Sequence, residues 1–289
     1  MIDPTALTDQ TTMDVGTPKG ARLAGGTSTP ELTLLNGFEL RHAGGPVELP
    51  HPSQRLIAFL AVHEQALQRA FVAGSLWPDA SDARADGSLR SALWRMHGFE
   101  PAIVITVGGR VRLHGSVRVD VVGLTEDADS LAGRSADELL MLARGFEAEL
   151  LPDWYDDWLV GWRERWRQTR FHALEDVARQ LVRAGSFGRA IAVGLAAVSA
   201  EPLRESAYRI IIEAHLAEGN VNEAVRQYRS YERVVRDELG IGPSPQITAL
   251  VAYLMAAIAA PSPVMSTMTG DYDHANVSIR AKSTTDVGR

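Results

Sequence analysis

Cysteine is absent from this chain of 289 residues, which excludes disulfide frameworks, catalytic thiols and zinc sites built on thiolates. Long apolar runs are absent as well, because none approaches the roughly 18 residues that span a bilayer. The first thirty residues also lack the continuous apolar segment of a secretory signal. We therefore expect a cytoplasmic protein that makes no contact with a membrane.

The motifs of common enzymes are missing too. The sequence has no glycine-rich phosphate loop followed by lysine, no nucleophile elbow and no carboxylate pair placed by a recognisable motif. His63-Glu64 begins like a zinc-binding helix, but Leu67 stands where that motif requires its second histidine. We predict that the chain is not an enzyme and that it binds no cofactor and no metal.

Lysine is scarce, since only Lys19 and Lys282 occur among the 29 basic residues. This preference for arginine is typical of a GC-rich genome, so the number of arginines alone does not predict nucleic-acid binding. Residues 31–120 balance nine arginines against nine carboxylates, whereas residues 121–260 hold 21 carboxylates and 15 arginines. The acidic excess of the second segment is explained by a solvated helical surface.

The length exceeds that of one ordinary hydrophobic core and predicts two domains. Residues 1–30 and 261–289 are polar, lack periodicity and are interpreted as flexible tails. Residues 31–120 mix strand and helix patterns, and residues 121–260 are almost entirely helical in period.

The first domain shows the element order of a winged helix-turn-helix with a leading sheet. Alternating apolar residues predict short antiparallel strands in 31–50, and Ser53 is a candidate N-cap for the first helix. Two further helices and two strands joined by a Gly-Gly turn are predicted at Arg69–Trp77, Ser81–Met96, Ile103–Val107 and Arg110–Leu113.

The second domain carries an internal repeat. Gly185 and Gly219 are 34 residues apart, as are Ala190 and Ala224, and this period is typical of tetratricopeptide helix pairs. We therefore predict an all-α, tetratricopeptide-like domain of helical repeats.

Three further patterns mark helices of this domain. Asn220 with Glu223 predicts a capping box, and Ser244-Pro245 predicts the start of a last helix. Four tryptophans recur every four residues, which is more typical of packing against neighbouring helices or the first domain than of a binding platform. They are Trp154, Trp158, Trp162 and Trp166.

The third helix is the candidate DNA-reading element. One of its faces is apolar and is expected to pack, while a separate arc offers guanidinium and hydroxyl groups, the donors that reach bases and phosphates in a major groove. The residues of that arc are Arg84, Ser88, Ser91 and Arg95, with Arg90 flanking them. Arg110 and Arg112 alternate with Val111 and Leu113, so both arginines are predicted on one face of the wing.

Two observations keep alternatives open. An ordinary solvated helix face would show the same pattern as the third helix. The first domain is formally neutral, and Asp86 and Gly87 lie close to the predicted reading surface, where a carboxylate repels phosphate and glycine weakens the helix by about 1 kcal/mol. An alternative function is therefore a protein-interaction adaptor whose winged helix binds DNA weakly or not at all.

Seven motifs in order along residues 31–255 resemble the Streptomyces antibiotic regulatory protein family, whose members join an OmpR-type winged helix to a bacterial transcriptional activator domain. The motifs of the first domain are 34–38 (LLNGF), 76–79 (LWPD), 89–95 (LRSALWR) and 119–120 (VD). Those of the second domain are 150–158 (LLPDWYDDW), 201–205 (EPLRE) and 238–245 (ELGIGPSP).

The resemblance implies an activator of secondary metabolism that binds double-stranded DNA upstream of a promoter, typically on direct repeats. It also implies contact with RNA polymerase, while a homodimer on DNA is left open. On the matching positions, the recognition helix is that of Arg84 to Arg95 and the wing is that of Arg110 and Arg112.

Overall fold

The computed structural model describes residues 29–259, so the predicted tails 1–30 and 261–289 lie almost entirely outside the described residues. Strands and three helices come first, followed by an unbroken series of helices. The first part contains β1 (Glu31–Thr33), β2 (Glu39–His42), β3 (Gly45–Pro46), α1 (His51–His63), β4 (Leu67–Gln68), α2 (Arg69–Leu76), α3 (Asp82–Trp94), β5 (Val104–Val107), β6 (Arg110–Leu113) and β7 (Arg118–Val119). The second contains α4 (Asp120–Ala128), α5 (Ala136–Phe146), α6 (Asp157–Arg183), α7 (Phe187–Ala200), α8 (Glu205–Glu218), α9 (Val221–Leu239) and α10 (Pro245–Ala259).

The leading sheet has the strand order β3-β2-β1-β7. β1 and β2 are antiparallel, with Leu32 opposite Leu40, and both leucines are buried. β7 pairs in parallel with β1 and so returns the chain from the wing to the start of the fold. The alternating pattern of residues 31–50 thus buries one face of the sheet, as the sequence predicts.

A second sheet, of order β4-β6-β5, forms the wing beside α1, α2 and α3. Gly108 and Gly109 join its two longer strands with φ angles of 57° and 77°. Two consecutive positive φ angles define the primed hairpin turn that the Gly-Gly pair predicts. Strand, three helices and hairpin therefore form a winged helix-turn-helix.

The predicted start of α1 was wrong. The helix begins at His51, and Ser53 lies inside it, buried, with a hydroxyl that has no hydrogen-bond partner. Pro52 fits the first helical turn, because its fixed φ is helical and its missing N–H would be unpaired there in any case. The helix therefore starts before the serine that resembled its cap.

The predicted capping box at Asn220 was also wrong. The Asn220 side-chain amide donates to Glu218 at 2.7 Å and does not cap α9. A capping box does occur at α5, where the Ser135 N–H donates to Glu138 Oε2 at 2.7 Å and the Glu138 N–H donates to Ser135 Oγ at 3.3 Å.

The helical repeat is confirmed. α6 packs on α7, α7 on α8 and α8 on α9, and α10 covers the end of this array. Gly185 and Gly219 turn the chain between helices with φ angles of 71° and 85°, where a Cβ atom would be strained. Ala190 and Ala224 are fully buried, so the small residues lie where helices come close. In residues 29–259, no helix combines the length and apolarity that crossing a membrane requires.

The tryptophan series packs against its neighbours, as the sequence predicts. Trp158 meets the ring of Phe59 edge-on at 5.1 Å between centroids, and Trp162 meets His63 at 5.0 Å. Trp154 precedes α6 rather than lying on it. Because Phe59 and His63 belong to α1, this series joins the long helix α6 to the winged helix.

Hydrogen bonds to the backbone of residues 34 and 35 also connect the two halves of the chain. The Leu151 N–H donates to the Leu34 carbonyl at 2.9 Å. The Asp120 carboxylate accepts the N–H groups of Leu34 and Leu35 at 3.0 Å and that of Val121 at 2.7 Å. Burial raises the pKa of Asp120, against the lowering effect of these donors. Asp120, which directly follows β7, thereby holds the end of β7 against the residues that follow β1.

Candidate nucleic-acid interface

The start and the inner face of α3 are set by its sequence. The Ser81 carbonyl accepts the Ala85 N–H at 2.9 Å and opens the helix, although the Ser81 hydroxyl makes no capping bond. Ala85, Leu89 and Ala92 are buried and place one face of α3 against α1 and α2. The opposite face is therefore directed away from the core.

The predicted reading residues lie on that outer side. Arg84, Ser91 and Arg95 are exposed and Ser88 is half-buried, so the structure presents the predicted arc to solvent. Arg95 follows the last helical residue but keeps helical backbone angles. The Ser91 hydroxyl donates to the carbonyl of Gly87 at 3.0 Å, which leaves its oxygen available mainly as an acceptor.

Arg90 forms an ion pair with Asp86, the carboxylate that the sequence predicts near this surface. Arg90 Nη1 lies 3.3 Å from Asp86 Oδ2, and Arg69 Nη2 lies 3.8 Å from Asp86 Oδ1. Such exposed pairs add little to stability. Two guanidinium groups share one carboxylate, so the local charge of this cluster is positive although the domain as a whole is neutral.

The wing presents its arginines as the alternation predicts. Arg110 and Arg112 are exposed, and Val111 between them is fully buried. Since β6 is the middle strand of its sheet, Arg110 lies opposite Gln68 on one side, and Arg112 lies opposite Ile105 on the other. Both arginines are thus held on a paired strand rather than on a free loop.

The helix and the wing border the same open groove. The last turn of α3 contributes Trp94 and its preceding turn contributes Arg90, while β5 contributes Ile105 and Thr106. The candidate recognition helix α3 and strand β5 of the wing are therefore neighbours on one surface of the molecule.

Trp94 is an exposed residue beside the candidate interface that the sequence reasoning missed. Its side chain is 65% exposed, an unusual state for tryptophan. The helical period could have found it, because Trp94 follows Ser91 by three residues and Gly87 by seven, which puts all three on the same side of α3. In residues 29–259, no cluster of three or more histidine and carboxylate side chains could hold a metal ion.

The second half of the chain matches a known family of domains. Residues 118–255 match the family model described as the bacterial transcriptional activator domain. This match shows that the chain contains a bacterial transcriptional activator domain. The resemblance inferred from the seven motifs is confirmed.

EmbR of Mycobacterium tuberculosis, solved in complex with a low-affinity phosphopeptide, has a similar structure. The sequences are 19% identical, the TM-score is 0.63, and the match covers 79% of this chain and 65% of the EmbR chain. The chain thus spans less than two thirds of EmbR, and the likeness supports the fold: a winged helix-turn-helix followed by an all-α repeat domain. The search of curated proteins found no significant match.

The activator domain leaves the outer face of α3 free. Trp158 of this domain packs against the core cluster of the winged helix, which includes Leu89 and Phe59. Arg84 and Arg95 remain exposed in the docked arrangement. A duplex could therefore approach α3 without separation of the two halves.

Proposed function

We propose that this activator binds double-stranded DNA directly through α3 and the wing, and raises transcription by contacting RNA polymerase. The observation that carries the proposal is the exposed arc of Arg84, Ser88, Ser91 and Arg95 on a helix whose other face is buried. Arginine can donate two hydrogen bonds to guanine in the major groove, and hydroxyl groups reach bases or phosphates. No enzymatic step is part of the proposal.

Arg110 and Arg112 have a different role in this proposal. Wing arginines that meet phosphates hold the protein on the duplex without reading its sequence. Binding to direct repeats, as a homodimer or as two separate molecules, fits a single reading helix per chain. Residues 31–120 would supply the DNA contacts, and residues 121–260 would serve as the activator domain.

The alternative is a protein-interaction adaptor with weak or no DNA binding. The observation that favours it is the engagement of Arg69 and Arg90 by Asp86, which withdraws two arginines from full contact with phosphate. Salt-dependent gel shifts separate the two functions. An activator binds the DNA upstream of its target more tightly than random duplex at low salt, whereas an adaptor shows no preference.

Single substitutions test the reading face. Arg84→Ala and Arg95→Ala should each weaken binding to the preferred duplex by about 1–3 kcal/mol, because each removes a base contact, and should relax sequence preference. Arg110→Ala should instead weaken binding to all duplexes alike. Arg226→Ala is a matched control, because Arg226 is an exposed arginine of α9 in the activator domain. If all three interface variants bind like wild type, this face does not contact DNA.

A further inference from the structure

The groove between α3 and β5 is lined by both apolar and cationic side chains, a mixture that is unusual for a solvated surface or for a core. It is open, has a volume of about 620 Å³ and lies beside the proposed reading face. Its apolar wall includes Leu93, Trp94 and Val104, and its donors include Arg69, Arg90 and Thr106. Apolar and cationic side chains thus line the same groove.

The apolar part of the groove is centred on Trp94. The indole of Trp94 is 65% exposed, while Met96, which also lines the groove, is 5% exposed. A large aromatic ring kept in water at the edge of a groove is typical of a binding surface. The indole also carries an N–H group, which can donate to an oxygen of a ligand.

The charge of the groove selects an anion. Arg69 and Arg90 both lie within ion-pair distance of Asp86, at 3.8 and 3.3 Å. Asp86 can balance only one of the two guanidinium charges, and both arginines line the groove. The net positive charge that remains matches one phosphate group.

We propose that this groove holds one sugar-phosphate strand of the bound duplex, with deoxyribose against Trp94 and a phosphate between Arg69 and Arg90. This inference rests on the proposed DNA binding and adds a site outside the reading arc and the wing arginines. A nucleic-acid backbone combines an apolar sugar with an anionic phosphate, and the groove offers an exposed indole and two guanidinium groups to these two parts. The groove lies between α3 and strand β5 of the wing, so a DNA strand held there would contact both elements.

Salt dependence on a mixed-sequence duplex measures this site directly, because each phosphate contact contributes about 0.9 to the slope of log affinity against log salt. Arg69→Ala and Arg90→Ala should each lower the slope of the wild type by about 0.9. Arg226→Ala, which removes an exposed arginine of α9, should leave the slope unchanged. Circular dichroism establishes that each variant is folded.

Trp94 and Asp86 give two further readouts. Trp94→Ala should weaken binding to preferred and mixed-sequence duplexes by the same factor without changing the salt slope, because an indole on a sugar releases no counterion. Asp86→Asn should steepen the slope, since it frees the second guanidinium for phosphate. Neutral methylphosphonate linkages can replace the phosphates of the duplex one at a time. At one position this replacement should weaken DNA binding by the wild type but leave DNA binding by Arg90→Ala unchanged.

Unchanged slopes in Arg69→Ala and Arg90→Ala, with normal DNA binding by the wild type, would overturn the site and leave the proposed function intact. A wild type that binds no duplex at any salt concentration contradicts both. A glutamate-rich peptide is the comparison ligand. If both arginine variants lose that peptide while their DNA slopes stay normal, the groove takes an acidic protein segment and the backbone site is wrong.

Discussion

Gly194 lies where α7 and α8 approach most closely. A Cβ atom at this position would come within 2.6 Å of Ile211 Cγ1, and Ile211 is itself fully buried on α8. Real side chains do not tolerate such a distance, so one helix would have to move away from the other. The glycine is therefore required by its neighbour in space and not by its own backbone conformation.

We predict that Gly194→Ala lowers the free energy of unfolding by about 1–3 kcal/mol, the usual effect of overpacking a core. Gly188→Ala is the matched control on the same helix, because no atom lies within 4 Å of its added methyl group. The control should keep or slightly raise stability, since alanine favours helix over glycine by up to about 1 kcal/mol. Urea denaturation measures both, and equal midpoints for the two variants would contradict the predicted clash.

Sequence reasoning separates these glycines only in part. The 34-residue period identified Gly185 and Gly219, because a turn between repeated helices has a local signature. Gly194 has no such signature, because its cause is Ile211 on the next helix. The prediction for Ser53 was wrong although its local signal was present. Serine is a common helix cap, but the helix begins earlier, with Pro52 in its first turn.

Among the contacts between elements, the ion pairs of Glu175 are the most deeply buried. Glu175 on α6 is 3% exposed and accepts hydrogen bonds from Arg204 and Ser206 at the start of α8, and from Arg179 at 3.1 Å. Burial alone would raise the pKa of Glu175, but the hydrogen bonds from Arg204 and Ser206 hold it below its ordinary value. The ionised carboxylate thus joins the first and third helices of the repeat array.

We predict that Glu175→Gln destabilises the protein at neutral pH by about 1.5–3 kcal/mol, because it replaces charge-assisted hydrogen bonds to half-buried arginines with neutral ones. The pKa of Glu175 is lower in the folded protein than in the unfolded chain. Its contribution is therefore complete above the unfolded value of about 4.3 and is lost as the pH falls through the folded value.

Urea denaturation of wild type and Glu175→Gln over a range of pH measures this contribution. The difference between them should be constant near neutral pH and should shrink in acid. Glu164→Gln is the control, because Glu164 lies on the same helix and is exposed. A difference that stays constant into acid would show that the carboxylate charge is not what stabilises the array.

The element order of the molecule was predictable, whereas the docking of its two halves was not. Hydrophobic periodicity and turn residues gave the helices, the wing and the repeat, because these signals are local. The hydrogen bond between Leu151 and Leu34 and the pair between Arg55 and Asp156 join residues that are far apart in sequence. No local pattern marks such partners. The exposed side of α3 could be predicted from the helical period, which also places Trp94 on the same side as Ser91.

One core cluster runs from Leu32 of β1 to Ala214 of α8, so the winged helix and the activator domain share buried surface. Trp158 of α6 also packs against a second core cluster, which contains Phe59 of α1. Arg55 of α1 adds a hydrogen bond of 2.7 Å to Asp156. Because these contacts hold α1 against α6, we expect the two halves to unfold together rather than one after the other.

We predict that Trp158→Ala destabilises both halves by about 1–3 kcal/mol, because Trp158 is half-buried and packs against the core cluster of the winged helix. Hydrogen exchange should show α1 and α6 opening with the same free energy in wild type, and that common value should fall in the variant. Val160→Ala, at a position on α6 that is 65% exposed, should change neither.

Trp158→Phe distinguishes packing from hydrogen bonding in this contact. The indole N–H of Trp158 is buried and has no hydrogen-bond partner, so phenylalanine keeps an aromatic ring against Phe59 and removes an unsatisfied donor. Trp158→Phe should therefore cost much less than Trp158→Ala. If α1 exchanges at a much lower free energy than α6 in wild type, the halves unfold independently, and the aromatic contact does not couple them.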